Sequence, residues 1–281
     1  MAARAAAAAQ IEVLSATLAG QVVERLGLEA FPPPDFGGLR TLYSMWCRRV
    51  PMDNVRKRIH LHHLHTGPLP GDDATEFFEA WLRHGTGGTC WSANGALHAL
   101  LQTLNFDAAR GVGTMLVAPD VPPNHGSVAV RIDGARYLVD ASMLHNEPLL
   151  LAPMPTAIEH PAWGVRCENR DGKWHVRWRP LNMPDGMDCR IEHLGASRAE
   201  FAERHERTRT RSGFNHALYV RLIRGDSMVG IANGERVAID RGGVVHRTPL
   251  VDDDRIRFLV DEAGLSEEIA RKLPADLPPP A

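Results

Sequence analysis

Three residues of this sequence have the side-chain chemistry of a nucleophile, a base and an orienting carboxylate: Cys90, His125 and Asp140. Gly87 and Gly88 come just before Cys90 and predict a tight turn with unusual backbone dihedrals. Leucines then recur at helical spacing, which predicts a helix that begins near Cys90. The sulfur would lie at the N-terminus of this helix, where unpaired backbone N–H groups stabilise a thiolate.

The segment that ends at Asp140 is typical of a β-hairpin. Residues alternate before and after Asp133-Gly134, a pair that favours a two-residue type I′ turn. With this turn Ser127 faces Asp140, and His125 lies on the same face two residues earlier. Diagonal neighbours in such a hairpin are about 7–8 Å apart at Cα, within reach of two side chains. The sequence therefore predicts that the His125 imidazole lies beside the Asp140 carboxylate.

Taken singly, these residues have ordinary explanations. A single cysteine is usually a small buried apolar residue, and a single histidine near a strand is usually a surface or hydrogen-bonded residue. Their combination favours chemistry, because a Cys, a His and an Asp that meet in space have the arrangement of a triad for covalent catalysis. We therefore predict that Cys90 is the nucleophile, His125 its base and Asp140 the residue that orients the base.

The region around these residues resembles the arylamine N-acetyltransferase family, whose fold is related to transglutaminases and papain-like enzymes. The similar segments are the nucleophile segment 90–95, the histidine segment 124–125, the aspartate segment 137–140, and two weaker matches at 50–54 and 212–214. Their order and approximate spacing agree with the family across most of the chain.

The resemblance and the pattern of elements together predict an α+β fold. Its expected parts are an N-terminal helical bundle that carries the nucleophile, a central antiparallel β-barrel and a C-terminal α/β lid, around a cysteine proteinase-like core. The corresponding subdomains are 1–105 with the cysteine, 106–195 with the histidine and aspartate, and 196–281. Helices are predicted over 11–28, 36–49, 76–84, 197–210, 252–263 and 266–272, and strands follow from residue 108 onward, one of them over 112–118. The loop over 119–123, just before His125, is predicted to shape a substrate pocket.

The chain also departs from the family pattern. Thr86 stands where the family has Arg, and Ser92 and Asp53 stand where it has Glu. These differences imply that a buried ion pair near the nucleophile is altered or absent. After the aspartate, Ala141-Ser142 replaces a glycine-containing turn that the family associates with coenzyme A.

The resemblance implies ping-pong acyl transfer. An acetyl or other acyl group would move from a thioester donor, acetyl-CoA first, to Cys90 and then to an arylamine, hydrazine or other small amine acceptor. No permanently bound cofactor is expected, and the sequence assigns no residue to coenzyme binding. Three alternatives stay open: an amide synthase that uses an acyl chain on a carrier protein, a transglutaminase-like cysteine hydrolase, and a non-catalytic relative kept as a binding protein.

The amino-acid composition indicates which classes of binding partner and which cellular compartment to expect. The net charge of −2 on 281 residues indicates neither a nucleic acid nor a membrane surface as partner. Four widely spaced cysteines favour a reducing cytoplasm over a disulfide framework or a zinc site. The alanine-rich residues 1–10 lack the apolar core of a signal peptide, and no run reaches the about 20 apolar residues of a membrane-spanning helix. We expect a cytoplasmic protein whose first residues are a frayed lead into a helix.

Two further clusters of residues have ligand-binding chemistry. Residues 56–65 carry four histidines, at 60, 62, 63 and 65, and lack a cysteine or nearby carboxylate, so a mostly exposed strand or loop without metal is predicted. Arg204, Arg207, Arg209 and Arg211 follow a capping-box pattern opened by Ser197. A solvated helix face is the default for this run, and coenzyme phosphates or an acidic carrier protein are its alternative ligands.

Overall fold

The N-terminal part of the chain is helical in the computed structural model, which describes residues 12–278. Its elements are α1 (Ala16–Arg25), α2 (Phe36–Arg49), the two-residue strand β1 (Met52–Asp53), α3 (Val55–His62), α4 (Ala74–His84) and α5 (Cys90–Thr103). The helix predicted over 36–49 is therefore confirmed. The lead predicted over 1–10 lies outside the described residues.

Two predictions in this region are wrong. Residues 12–15 are not helical, and α1 begins only at Ala16 because the Ser15 hydroxyl accepts the backbone N–H of Leu18 at 3.2 Å. The histidine-rich stretch is not an exposed strand or loop, since most of it belongs to α3. A residue far along the chain stabilises this helix, because the buried Arg58 guanidinium donates to Asp276 at 2.6 Å.

The central part of the chain forms an eight-stranded antiparallel sheet in the order β5-β4-β3-β2-β9-β8-β7-β6. The two end strands, β5 and β6, lie next to each other, so the sheet is a nearly closed barrel, as predicted. Its strands are β2 (Asp107–Met115), β3 (His125–Ile132), β4 (Ala135–Leu138), β5 (Leu149–Leu150), β6 (Thr156–Ile158), β7 (Val165–Arg170), β8 (Lys173–Trp178) and β9 (Met187–Leu194).

The hairpin between β3 and β4 has the predicted register. Ile132 pairs with Ala135, and the turn residues Asp133 and Gly134 have φ values of 49° and 81°. Two residues with positive φ are what a type I′ turn requires. The pairing continues past the end of β4, where the backbone N–H of Val139 donates to β3 at 2.9 Å.

The C-terminal part contains one long helix, a second sheet and closing helices. These are α6 (Arg198–Arg207), β10 (Val220–Arg224), β11 (Ser227–Ala232), β12 (Glu235–Ile239), β13 (Val245–Pro249), α7 (Asp252–Arg257), a π-helical turn (Phe258–Glu262) and α8 (Glu267–Ala270). The five-stranded sheet has the order β1-β10-β11-β12-β13, so the N-terminal strand β1 pairs at its edge. Nothing in the sequence pattern predicted that pairing.

Helix α5 is the element that joins these parts. It packs against α4 and α6 and against strands β2 and β3 of the barrel. Its leucines Leu97, Leu100 and Leu101 are at most 1% exposed. Burial of each such side chain stabilises the fold by about 1.5–3 kcal/mol, so the position of the first residue of α5 is well determined.

Candidate active site

Cys90 is the first residue of α5, as its sequence context predicts. The preceding glycines have a different role from the predicted one, because neither has a positive φ. A Cβ atom on Gly87 would collide with the carbonyl oxygen of Pro51, and one on Gly88 would collide with the hydroxyl of Ser92. The loop before Cys90 therefore needs glycine for close approach and not for unusual dihedrals.

The structure brings His125 and Asp140 into direct contact. Nε2 of His125 lies 2.7 Å from Oδ2 of Asp140, and both side chains are at most 3% exposed. The residue pairing set by the Asp133-Gly134 turn predicted from the sequence that these two side chains lie close together. The sulfur of Cys90 lies 4.0 Å from the carbonyl oxygen of Asn124, the residue just before His125 and β3.

The Asp140 carboxylate is held by more than the histidine. Its second oxygen, Oδ1, accepts the N–H and the hydroxyl of Ser142 at 2.9 and 2.8 Å and the N–H of Met143 at 3.0 Å. Burial alone would raise the pKa of Asp140. The charge and hydrogen bond of His125, together with these backbone donors, instead hold that pKa well below its usual range. Asp140 is thus a fixed anion that leaves Oδ2 for the imidazole.

The same pair determines the charge of His125. Burial would lower the pKa of this imidazole, but attraction and hydrogen bonding to Asp140, with a smaller contribution from Cys90, raise it well above the usual value. Nε2 is occupied by Asp140, so Nδ1 is the ring nitrogen left to exchange a proton with the thiol. A protonated imidazole beside a thiolate is the form that nucleophilic cysteine catalysis uses.

Two residues with no role in the sequence analysis position this pair. The amide nitrogen of Asn94 donates to Gly126 at 2.7 Å and to Cys90 at 3.0 Å, while its oxygen accepts the N–H of Ala141 at 2.9 Å. Asn94 therefore ties α5 to the strands on both sides of the site. Its signal in the sequence is a polar residue one helical turn after Cys90.

Tyr43 of α2 is the second positioning residue. Its hydroxyl donates to the carbonyl of Asp140 at 2.7 Å and accepts the N–H of the same residue at 3.1 Å. The tyrosine is 1% exposed. The sequence analysis found no signal for this role, since the two residues are far apart in the chain.

Two of the three positions that depart from the family pattern near the nucleophile form side-chain hydrogen bonds. Asp53 accepts the N–H of Gly87 at 2.6 Å and of Val55 at 2.9 Å, so it supports the loop before the nucleophile. Burial raises the pKa of Asp53 to about 6. Ser92 donates to a backbone carbonyl at 3.1 Å, and the buried Thr86 hydroxyl has no partner among the described residues.

Cys90 and His125 line a cavity of about 800 Å³. This volume is in the range of cavities that enclose a small-molecule ligand. Apolar walls come from residues of several elements, including Pro123 of the loop before β3 and Phe214. The loop over 119–123 was predicted to shape a pocket, and two of its residues, Pro122 and Pro123, line this one.

Three other possible features of the described residues are metal sites, disulfides and membrane-spanning helices. Across residues 12–278, no group of three or more His, Cys, Asp or Glu side chains is arranged to hold a metal ion. The cysteines, all of them in the described part, are free and buried. Among those same residues, no helix is long and apolar enough to cross a bilayer.

Cys90 at the start of a buried helix and the His125–Asp140 pair beside it have the geometry that the predicted triad requires. Comparisons with known proteins identify the family of the chain. A model of the N-acetyltransferase family matches residues 35–186, more than half of the 281 residues. The chain belongs to the arylamine N-acetyltransferase family.

Individual relatives support this assignment. An arylamine N-acetyltransferase of Mycolicibacterium smegmatis is 30% identical over 128 residues, which are 43% of this chain and 44% of that protein. The match therefore spans less than half of the length of that relative.

Two solved structures show the same fold. The arylamine N-acetyltransferase of Mycobacterium abscessus has a TM-score of 0.75 at 17% identity, over 90% of this chain and 92% of its own. That of Mycobacterium marinum in complex with CoA has a TM-score of 0.74 at 18% identity, over 89% and 96%.

Proposed function

We propose that this protein transfers an acetyl group from acetyl-CoA to an arylamine or another small amine through an acyl-enzyme on Cys90. Family membership supports acetyl transfer, and the CoA complex of the Mycobacterium marinum relative supports the donor. The observation that carries the proposal is the 2.7 Å contact between Asp140 and His125, because His125 lines the same cavity as Cys90.

In the first half-reaction the Cys90 thiolate attacks the carbonyl carbon of acetyl-CoA. The carbon–sulfur bond to coenzyme A breaks, and the leaving coenzyme thiolate takes the proton of the His125 imidazolium. Cys90 then carries the acetyl group as a thioester, and His125 is neutral. Asp140 keeps Nε2 protonated throughout, so the proton moves at the other ring nitrogen.

In the second half-reaction the amine attacks the same carbonyl carbon. The amine proton passes to His125, the bond to the Cys90 sulfur breaks, and the thiolate–imidazolium pair is restored. The net change is transfer of one acetyl group with no gain or loss of protons by the protein. Backbone N–H groups at the start of α5 are the available donors for the tetrahedral oxyanion.

The test is intact mass after mixing with acetyl-CoA, for wild type and Cys90→Ala. We expect a mass increase of one acetyl group on the wild type only, and loss of that mass when an arylamine is added. An increase on both proteins would place the acetyl group elsewhere. Loss of the acetyl group without any amine would contradict a transferase and identify a hydrolase.

Alkylation separates two kinds of failure. If no acetyl adduct forms and iodoacetamide still modifies Cys90 rapidly at neutral pH, the donor is wrong while the nucleophile stands. If Cys90 is unreactive toward both reagents, the catalytic role proposed for the three residues is wrong.

A further inference from the structure

The walls of the cavity that contains Cys90 have charge of one sign. Besides Cys90 and His125, its ionisable lining residues within the described chain are Lys57, Arg204, Arg207, Arg211 and Tyr219, and no aspartate or glutamate is among them. The three arginines belong to the run that was predicted to be a solvated helix face, with coenzyme phosphates or an acidic carrier protein as alternative ligands. Four cations around one cavity favour an anionic ligand.

Lys57 differs from the arginines in its surroundings. Arg204 forms an ion pair with Glu200 at 2.9 Å, and Arg207 forms one with its own helix neighbour, so both charges are already compensated. Arg211 is exposed to solvent. Lys57 is only 5% exposed, and within residues 12–278 its ammonium makes no ion pair.

The ammonium of Lys57 has spare hydrogen-bonding capacity. Nζ donates to the carbonyl of Thr208 at 3.1 Å and to its hydroxyl at 2.9 Å. A lysine ammonium has three N–H donors, so two are used and one remains. A buried cation that makes no ion pair within residues 12–278 is energetically unfavourable, and an anionic ligand would relieve this.

The pKa of Lys57 agrees with this account. Burial lowers it to about 8, and the largest opposing effect is the attraction of Cys90. The lysine is therefore close enough to the nucleophile to interact with its charge. A structural role alone, which is to hold Thr208, needs hydrogen bonds but no charge.

We propose that Lys57 binds a carboxylate of the substrate next to Cys90. The carboxylate has two chemical sources: an acceptor amine that carries one, or a dicarboxylic acyl group whose free end remains ionised on the enzyme. Phosphates of coenzyme A are poor candidates, because the whole pantetheine arm separates them from the sulfur that reacts at Cys90. The identity of the substrate rests on the proposed function, whereas the charge preference at Cys90 does not.

Two alkylating reagents of nearly equal size test this preference without any acyl transfer. Iodoacetate carries a carboxylate and iodoacetamide is neutral. The rate of Cys90 alkylation by iodoacetate divided by the rate with iodoacetamide therefore reports the charge beside the sulfur. We expect this ratio to fall about tenfold in Lys57→Gln and to be kept in Lys57→Arg, since loss of a charged hydrogen bond has about that effect. Glutamine keeps an N–H donor for Thr208, and Lys272→Met is the control for removal of a distant charge.

The two alkylation rates also show whether Lys57 has a different role from the proposed one. If both rates fall equally in Lys57→Gln, the lysine stabilises the thiolate only, and the proposal is overturned. If Lys57→Gln does not fold, the Lys57→Arg variant and the salt dependence of the wild-type ratio decide: a ratio independent of salt overturns the proposal.

The source of the carboxylate is tested with two pairs of substrates. The acceptor pair is 4-aminobenzoate and 4-aminobenzamide on the acetylated enzyme, and the donor pair is succinyl-CoA and acetyl-CoA on the free enzyme. We expect one pair to show a wild-type preference for the carboxylate that Lys57→Gln loses. No preference in either pair overturns the substrate carboxylate. Failure of all acylation contradicts the proposed function, while the alkylation ratio still tests Lys57.

Discussion

Two buried aspartates near Cys90 have opposite electrostatic properties. Asp140 and Asp53 are at most 1% exposed, and each accepts at least two backbone N–H groups. Burial raises the pKa of Asp53 to about 6, whereas the pKa of Asp140 is held below its usual range. The difference lies in the cation: His125 contacts Asp140 directly, while the effect of Arg56 on Asp53 is the smallest of its contributions.

This difference shows that backbone hydrogen bonds do not by themselves offset the burial of a carboxylate. A contacting cation does, because its charge acts in surroundings of low dielectric constant. Asp140 is therefore suited to keep a charge on its neighbour. Asp53 is suited to hold a loop.

The largest expected effect comes from Asp140→Asn. Without its anion, His125 loses the attraction that raises its pKa, and its ring is no longer held in one orientation. We expect kcat/KM for acetyl transfer to fall at least ~100-fold. Asp53→Asn is the matched control and should change this value by less than about tenfold. Equal losses in both variants would erase the proposed distinction between the two aspartates.

Asn94→Ala removes the amide that links α5 to the Asp140 side of the site. The carbonyl of Gly126 and the N–H of Ala141 would lose their partners in a buried place. We expect the free energy of unfolding to fall by about 3 kcal/mol, measured by urea denaturation. As a positioning residue it should also shift the pH profile of Cys90 alkylation. An unchanged profile with lower stability would restrict Asn94 to a structural role.

The two aspartates should affect stability with opposite dependence on pH. The pKa of Asp53 is raised in the folded state, so its stabilising contribution is complete below the unfolded pKa near 4 and is lost as pH rises to about 6. The shift from 3.8 corresponds to at most about 3 kcal/mol. The pKa of Asp140 is lowered, so its contribution is present above the unfolded value and is lost as pH falls.

Denaturation of the wild type and Asp53→Asn at pH 4 and pH 7, and of the wild type and Asp140→Asn at pH 3 and pH 5, measures these contributions. We expect the wild type to lose stability relative to Asp53→Asn as pH rises, and to gain it relative to Asp140→Asn. The same sign in both comparisons would show that the two carboxylates have similar environments.

The smallest effect is expected for Tyr43→Phe. The phenol ring remains in the core, but the N–H and carbonyl of Asp140 lose the hydroxyl that joins them. We expect a loss of about 1 kcal/mol in the free energy of unfolding, and a drop in kcat/KM well below that of Asp140→Asn. Urea denaturation and a kinetic assay of the wild type and Tyr43→Phe measure these two effects.

The parts of the fold that depend on local pattern were predictable. The α2 boundaries, the start of α5 at Cys90 and the register at Asp133-Gly134 follow from caps, periodicity and turn residues that lie next to one another. Strand boundaries were less accurate, since the strand predicted over 112–118 runs from Asp107 to Met115. The Ser197 cap of α6 is present, with its hydroxyl accepting the N–H of Glu200 at 3.1 Å.

The sequence by itself therefore determined the helix that begins at Cys90 and the hairpin that pairs His125 with Asp140. Only the tertiary structure decided what surrounds them: the Tyr43 hydroxyl on Asp140, the helical form of the histidine-rich stretch and, in the cavity wall, the ammonium of Lys57, which makes no ion pair within residues 12–278. The physical reason is the distance along the chain over which each interaction acts. A turn or a helix start depends on residues a few positions apart, whereas burial, charge compensation and long-range hydrogen bonds depend on which segments the folded core brings together.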